Sequence, residues 1–408
     1  MLPANMLCMD TLIEKFRRKV SLVNTRFVRS AMEIIRWDAR LIGIKGARGV
    51  GKTTLLLQNI ALTCSDHLDQ VLYVSLDDLW FAKSSLADLV DQFVKTGGKK
   101  LYLDEVHKYP DWSRAIKNIY DDYTELQIVF TASSLLEILD ARADLSRRAV
   151  VYYLPGLSFR EYLNIQGIGR FRSFTLEEII QDHFRLAGDI VKEIKPFRFF
   201  PDYLQHGYYP FFLEGKETFF MKLEETVIML LEVELPLLRQ IDISYVIKLK
   251  QLMGILAESV PFVPNISRLS DRIGINRQTL IAYLHYLTEA RLINSLYKEA
   301  RGIGALKKPD KLFLENTNLI YLFRGNSQAS GTGTVRETFF FNQLSPSHDL
   351  LYPEQGDFLV NSRYTFEIGG KNKGQRQLRG LEDAYVAADD IEYGHGRTIP
   401  LWLFGFLY

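Results

Sequence analysis

Fourteen residues, LIGIKGARGVGKTT from Leu41 to Thr54, restrict what this chain can fold into more than any other stretch. An apolar run feeds a glycine-rich turn, Gly46-x-x-x-x-Gly51-Lys52-Thr53, and a second apolar run from Leu55 to Ala61 follows it. A strand that ends in such a turn and restarts as a helix is the pattern of a phosphate-binding loop. The glycines let consecutive backbone N–H groups turn toward one anion, and the following helix adds the positive end of its dipole. On this reading Gly46, Ala47, Arg48, Gly49, Val50, Gly51, Lys52, Thr53 and Thr54 form a loop that binds ATP. Lys52 is expected to reach the β and γ phosphates, and Thr53 to offer its hydroxyl to a Mg2+ ion that keeps several waters. A merely structural glycine turn needs neither the strand before it nor the helix after it.

The matching acids come from Lys100 to Trp112, KLYLDEVHKYPDW. An apolar run delivers Asp104 and Glu105 at its C-terminal end, where open parallel sheets place their ligands. Asp104 is expected to hold the magnesium, and Glu105 to orient the water that attacks the γ phosphate. Because side chains alternate along a strand, both can serve one site only if the chain turns at Glu105. The His107-Lys108-Tyr109-Pro110 segment fits such a turn. The strand carrying these acids is expected to lie beside the strand of the phosphate loop.

Leu126–Phe130 reads as a further buried strand leading into Thr131-Ala132-Ser133-Ser134. Ser133 or Ser134 is placed to sense the γ phosphate, although a helix N-cap before Leu135 explains the same serines. Arg142, Arg147 and Arg148 precede another strand, Ala149–Leu154. A guanidinium there could stabilise charge on the transferring phosphoryl group, within the chain or across a subunit boundary, and a solvated basic turn is the alternative. Asp77 and Asp78, after the strand Gln70–Leu76, read as loop acids.

Together DEVHKYPDW, the TASS segment and LSRRAVVYYLPGLSFREYL resemble a family of bacterial and archaeal AAA+-like ATPases, most diagnostically over Asp104–Leu163. The resemblance implies an α/β P-loop NTPase core with a parallel AAA+ sheet, a small helical lid, a winged helix-turn-helix and a C-terminal domain related to the PD-(D/E)XK restriction-endonuclease fold. At matching positions it carries ATPase roles to Gly46, Lys52, Thr53, Asp104 and Glu105, and catalytic roles also to Ser134 and Arg148. The corresponding division is 1–157 for the ATPase core with its N-terminal helices, 158–245 for the lid, 246–310 for the winged helix and 311–408 for the nuclease-like domain.

The remaining pattern is compatible with that division. Leu12, Phe16, Val20 and Val23 recur at helical spacing ahead of the core. Between Ser158 and Gln240 the aromatics Phe159, Tyr162 and those from Phe197 to Tyr209 read as core, with stacking on a base as the alternative. A short helix through Arg268, Leu269 and Ile273, a turn at Gly274, a helix from Arg277 to Ala290 and a strand Leu292–Tyr297 describe a winged helix-turn-helix. Residues 266–308 hold eight basic and three acidic residues, an excess of five that phosphate contacts would use. A spacer or protein-docking role suits the same elements. Further on, Glu337, Asp357 and Glu367 resemble the acids of a metal-dependent phosphodiesterase. Two positions after Glu367 stands Gly369 rather than lysine, and Lys371 lies four after, an offset of roughly 6–7 Å along an extended strand. A degenerate fold used for binding or assembly is therefore expected rather than a nuclease.

With 408 residues, 47% apolar and 24% charged, the chain has the composition of a soluble multidomain globular protein. Its net charge of +1 makes no global case for nucleic acid or membrane. Two cysteines, Cys8 and Cys64, cannot build a disulfide framework, and no apolar stretch is long enough to span a bilayer. The expectation is a cytoplasmic, Mg2+-dependent ATPase, with a DNA or protein partner and a homo-oligomer left open.

Overall fold

The computed structural model describes residues 4–132, 145, 147–239, 242–259, 263–298, 308–324, 332–374, 378 and 380–408. The chain divides into two compact units, Met1–Pro155 and Gly156–Tyr408.

Five strands organise the first unit: β1 (Leu41–Lys45), β2 (Val71–Ser75), β3 (Lys100–Asp104), β4 (Gln127–Ala132) and β5 (Val150–Tyr153). They form one parallel sheet in the order β2-β3-β4-β1-β5. Ile42, Ile44, Leu72, Val74, Leu101, Leu103, Ile128 and Phe130 are buried, as central strands covered on both faces require. The strand of the phosphate loop and the strand of the acids are not neighbours, contrary to the sequence expectation, because β4 is inserted between β1 and β3. Parallel strands need long crossovers, so adjacency along the chain says little about adjacency in the sheet.

Helices cover this sheet: α1 (Ala4–Leu22), the single turn α2 (Ala31–Ile34), α3 (Lys52–Thr63), α4 (Leu86–Lys95) and α5 (Trp112–Asp122). Leu12, Phe16 and Val20 of α1 are buried at the expected helical spacing. In α4, Ser85 accepts a hydrogen bond from Asp88 N–H as its N-cap, and Leu86, Leu89, Val90 and Phe93 face inward.

The second unit begins with helices and ends on a mixed sheet. Helices Phe159–Ile165, Leu176–Glu193 and Pro196–His206 come first, and the first and third meet through an aromatic cluster in which Phe159 lies 5.1 Å from Phe200 and 5.4 Å from Tyr203 between ring centroids. These rings are core, as expected from their pattern. Helix Ile266–Ile273 stops at Gly274 in the left-handed region (φ 72°), helix Arg277–Glu289 follows, and β6 (Ile293–Leu296) pairs antiparallel with β7 (Lys311–Leu314). Strands β8 (Leu350–Leu351), β9 (Phe358–Val360), β10 (Tyr364–Gly369), β11 (Ala384–Ala388) and β12 (Thr398–Pro400) form a sheet ordered β12-β11-β10-β9-β8. The first three run antiparallel, and β10, β11 and β12 run parallel. Among the described residues no helix is long and apolar enough to cross a membrane.

Candidate functional site

β1 ends at Lys45, the glycine loop follows, and α3 starts at Lys52. Gly49 (φ 83°) and Gly51 (φ 96°) hold backbone conformations that L side chains rarely adopt, which turns the loop back over the start of α3. At Gly46 a side chain is excluded by space, since a Cβ there would lie 2.4 Å from Leu154 O. Arg29, buried, donates to Val50 O and to Pro155 O, both at 2.9 Å, and so ties the loop backbone to the chain that follows β5. Ala47 and Lys52 are buried, whereas Arg48, Gly49 and Thr54 are exposed. The Lys52 ammonium donates to Gly46 O and Ala47 O at 3.0 Å each, inside the curve of the loop.

The acids of β3 converge on the same loop. Thr53 Oγ1 donates to Asp104 Oδ2 at 2.6 Å, and Tyr73 Oη donates to the same oxygen at 2.8 Å. Thr131 Oγ1 donates to Asp104 Oδ1 and accepts from Glu105 N–H at 3.1 Å. The sheet explains this convergence. Ser75 pairs with Asp104 across β2 and β3, which puts Tyr73, two residues back, on the same face. Leu103 pairs with Phe130 across β3 and β4, so Thr131 stands next to Asp104 one step further on. Burial and the neighbouring Asp104 carboxylate push the Tyr73 phenol far above its ordinary range, so it stays a proton donor.

Glu105 lies in the left-handed region (φ 52°, ψ 45°), at the turn that the sequence requires for both acids to face one site. A 3-10 turn, Val106–Lys108, follows and brings His107 Nε2 to 3.4 Å from Glu105 Oε2. Burial lowers the His107 pKa to about 3, with Lys108, Lys52 and Arg48 acting in the same direction. The pair is therefore a neutral imidazole beside a carboxylate rather than a salt bridge.

Thr53 and Asp104 are hard oxygen donors, the kind that bind magnesium through one or two protein oxygens while phosphates and water complete the shell. Among the described residues no group of three or more His, Cys, Asp or Glu side chains could hold a metal ion by itself.

Other expected positions fall elsewhere. Ser133, Ser134 and Arg142 lie outside the described residues. Arg148 precedes β5, the strand beside β1, at the end of the strands away from the phosphate loop, and makes a two-point contact with Asp121 of α5, Nε to Oδ1 and Nη2 to Oδ2 at 2.9 Å each. The length of β5 separates it from the loop, so within one chain it is not brought to the phosphates. Sequence reasoning missed Tyr73, Thr131 as the polar residue bridging the acids, Arg29 and the His107 contact. A tyrosine two residues before the end of a buried strand was the signal available for Tyr73.

In the second unit, Glu337 of helix Thr332–Leu344, Asp357 before β9 and Glu367 of β10 come together as their types suggested. Their partners are lysines. Lys311 Nζ lies 2.5 Å from Glu337 Oε2 and 3.4 Å from Asp357 Oδ1, and Lys373 Nζ lies 2.5 Å from Glu367 Oε1. Lys371, the expected lysine, is exposed. Lys373 takes the contact by folding over Gly369, where a Cβ would stand 2.5 Å from Lys373 Cβ. Burial raises the pKa of Glu337 and of Glu367 despite these ammonium groups. Burial opposes the charge of Lys311, but Glu337 and Asp357 outweigh it and its pKa rises.

Residues 38–163 match a family model described as AAA domain. No curated protein matches the sequence. Solved structures with similarity include C. elegans PCH-2, 19% identical over 43% of this chain and 50% of that one, with a TM-score of 0.25. The S. cerevisiae Hsp104–ADP complex is 15% identical over 68% of this chain and 39% of that one, TM-score 0.28. AMPPCP-bound DnaA from Aquifex aeolicus is 16% identical over 66% of this chain and 93% of that one, TM-score 0.27. The chain thus spans half of the PCH-2 chain and 39% of the Hsp104 chain. The class is set by the domain match together with the α/β parallel sheet: the first unit carries an AAA-type ATPase-like domain.

Proposed function

We propose that this protein binds ATP with Mg2+ and hydrolyses it, and that nucleotide state works as a switch on the rest of the chain. The observation that carries the reading is the meeting of Thr53 and Asp104 at 2.6 Å beside the curved loop that holds Lys52. A helix start, a lysine, a hydroxyl and a buried carboxylate converge where charge on a polyphosphate must be matched. The loop amides and Lys52 bind the β and γ phosphates. Thr53 and Asp104 hold the magnesium, which supplies charge neutralisation when bound. Glu105 orients the attacking water and accepts its proton.

In the second unit, the helix–turn–helix and hairpin from Ile266 to Leu314 favour a winged-helix module that docks DNA or protein. The lysine-paired acids favour a binding or assembly role over phosphodiester cleavage. Ser134 as γ-phosphate sensor and Arg148 acting across a subunit boundary belong to the same proposal.

The test is direct. Titration with Mg·ATP and a turnover assay should show that Lys52→Ala loses binding, whereas Glu105→Gln binds ATP and loses on the order of a hundredfold or more in hydrolysis. No heat on titrating the folded wild type at millimolar Mg·ATP would end this reading.

A further inference from the structure

We propose that Tyr73 is a positioning residue for the magnesium site: its hydroxyl holds Asp104 Oδ2 from the sheet, so that the carboxylate keeps one orientation while the phosphate loop takes up nucleotide. The inference rests on the ATPase reading above and deepens it.

The three hydroxyls on Asp104 differ in where they come from. Thr53 stands in the first turn of α3, at the end of the phosphate loop, and donates to Oδ2 at 2.6 Å. Tyr73 belongs to β2 and Thr131 to β4, the strands on either side of β3, and they donate to Oδ2 and Oδ1 respectively. A hydroxyl has one proton and two lone pairs, so Thr53 can face a cation and Asp104 together only by turning its O–H to suit both. Its bond to Oδ2 is therefore the one subject to change when the loop fills. The Tyr73 bond is anchored elsewhere. Tyr73 pairs with Tyr102 and Ser75 with Asp104 across β2 and β3, so donor and acceptor ride on one ladder.

The chemistry of the donor fits the task. Tyr73 and Asp104 are both buried, and Lys19 of α1 places its ammonium 4.9 Å from the centre of the tyrosine ring. Burial, with Asp104 acting in the same direction, keeps the proton on the phenol. A neutral O–H orients the carboxylate and leaves its charge for a cation, whereas a lysine at the same place would meet that charge permanently, as Lys311 does at Glu337. Donors that hold a ligating carboxylate from behind govern metal affinity without touching the metal.

A tyrosine that merely satisfies a buried carboxylate makes a different forecast. Tyr73→Phe keeps the ring and removes only the hydroxyl, and ATP binding measured in EDTA and at increasing Mg2+ separates the two roles. The variant should bind ATP in EDTA within about twofold of wild type, and should need on the order of tenfold more Mg2+ for half of the Mg2+-dependent gain in ATP affinity. In an Asp104→Asn background Tyr73→Phe should shift that midpoint no further, because the tyrosine acts through the carboxylate. Urea unfolding of the nucleotide-free variant shows that it is folded and reports the packing loss separately. The proposal is overturned if the Mg2+ midpoint stays at the wild-type value, if ATP binding weakens equally in EDTA, or if the shift persists undiminished without the Asp104 carboxylate. A wild type that binds no ATP, with or without Mg2+, defeats the ATPase reading itself before any variant is made.

Discussion

Two groups of carboxylates in this chain are built from the same residue types and neutralised by opposite means. At Asp104 the donors are hydroxyls, from Thr53, Tyr73 and Thr131. At Glu337, Asp357 and Glu367 they are the ammonium groups of Lys311 and Lys373. Hydroxyls orient a carboxylate and leave its charge to be met by a cation that comes and goes with a ligand. Lysines meet the charge permanently. A carboxylate cluster is thus informative about metal chemistry only together with the groups that face it.

The widest contrast comes from removing divalent ions. Chelation should abolish ATP hydrolysis at the first group and leave the thermal unfolding of nucleotide-free protein unchanged, since the second group carries its own cations. A melting temperature that drops on chelation would break the distinction. Next in size, Lys311→Met strands the half-buried Glu337 and Asp357 without their shared cation and should cost about 3–5 kcal/mol in urea unfolding. A loss below about 1 kcal/mol would mean that the lysine is incidental.

The contrast also sharpens with pH. Unfolded, His107 takes a proton near pH 6.5, whereas folded it does so only near 3, so between these values the unfolded state binds more protons. Stability should therefore fall as pH drops from about 6.5 toward 3, and His107→Gln should flatten that limb when the two unfolding curves are subtracted. The smallest effect is at Tyr73. Replacing it by Phe removes one neutral donor of several from Asp104, for a loss of about 1 kcal/mol by denaturant unfolding; a loss as large as that at Lys311 would erase the difference between the two kinds of partner.

How much of this was legible in the sequence follows from the range of the interactions. The phosphate loop and the Asp104-Glu105 pair are local, since adjacent residues and their backbone conformations make them, and even the turn at Glu105 followed from strand alternation. Tyr73 and Thr131 were not legible, because their contact with Asp104 exists only through the register of β2 and β4 on either side of β3. The place of β4 in the sheet was missed for the same reason. In the second unit the three acids could be picked out by type. Which lysine meets Glu367 depended on Gly369 leaving room for Lys373 to fold back, a matter of local space that counting residues along an ideal strand does not contain.

The Arg29 clamp carries a mechanical consequence. One guanidinium grips Val50 of the phosphate loop and Pro155, the last residue of the first unit, while Gly46 presses against the backbone of Leu154. Loop and exit segment are in effect riveted at two points. A ligand that shifts the loop by an ångström must either shear a buried 2.9 Å bond or drag the departing chain with it.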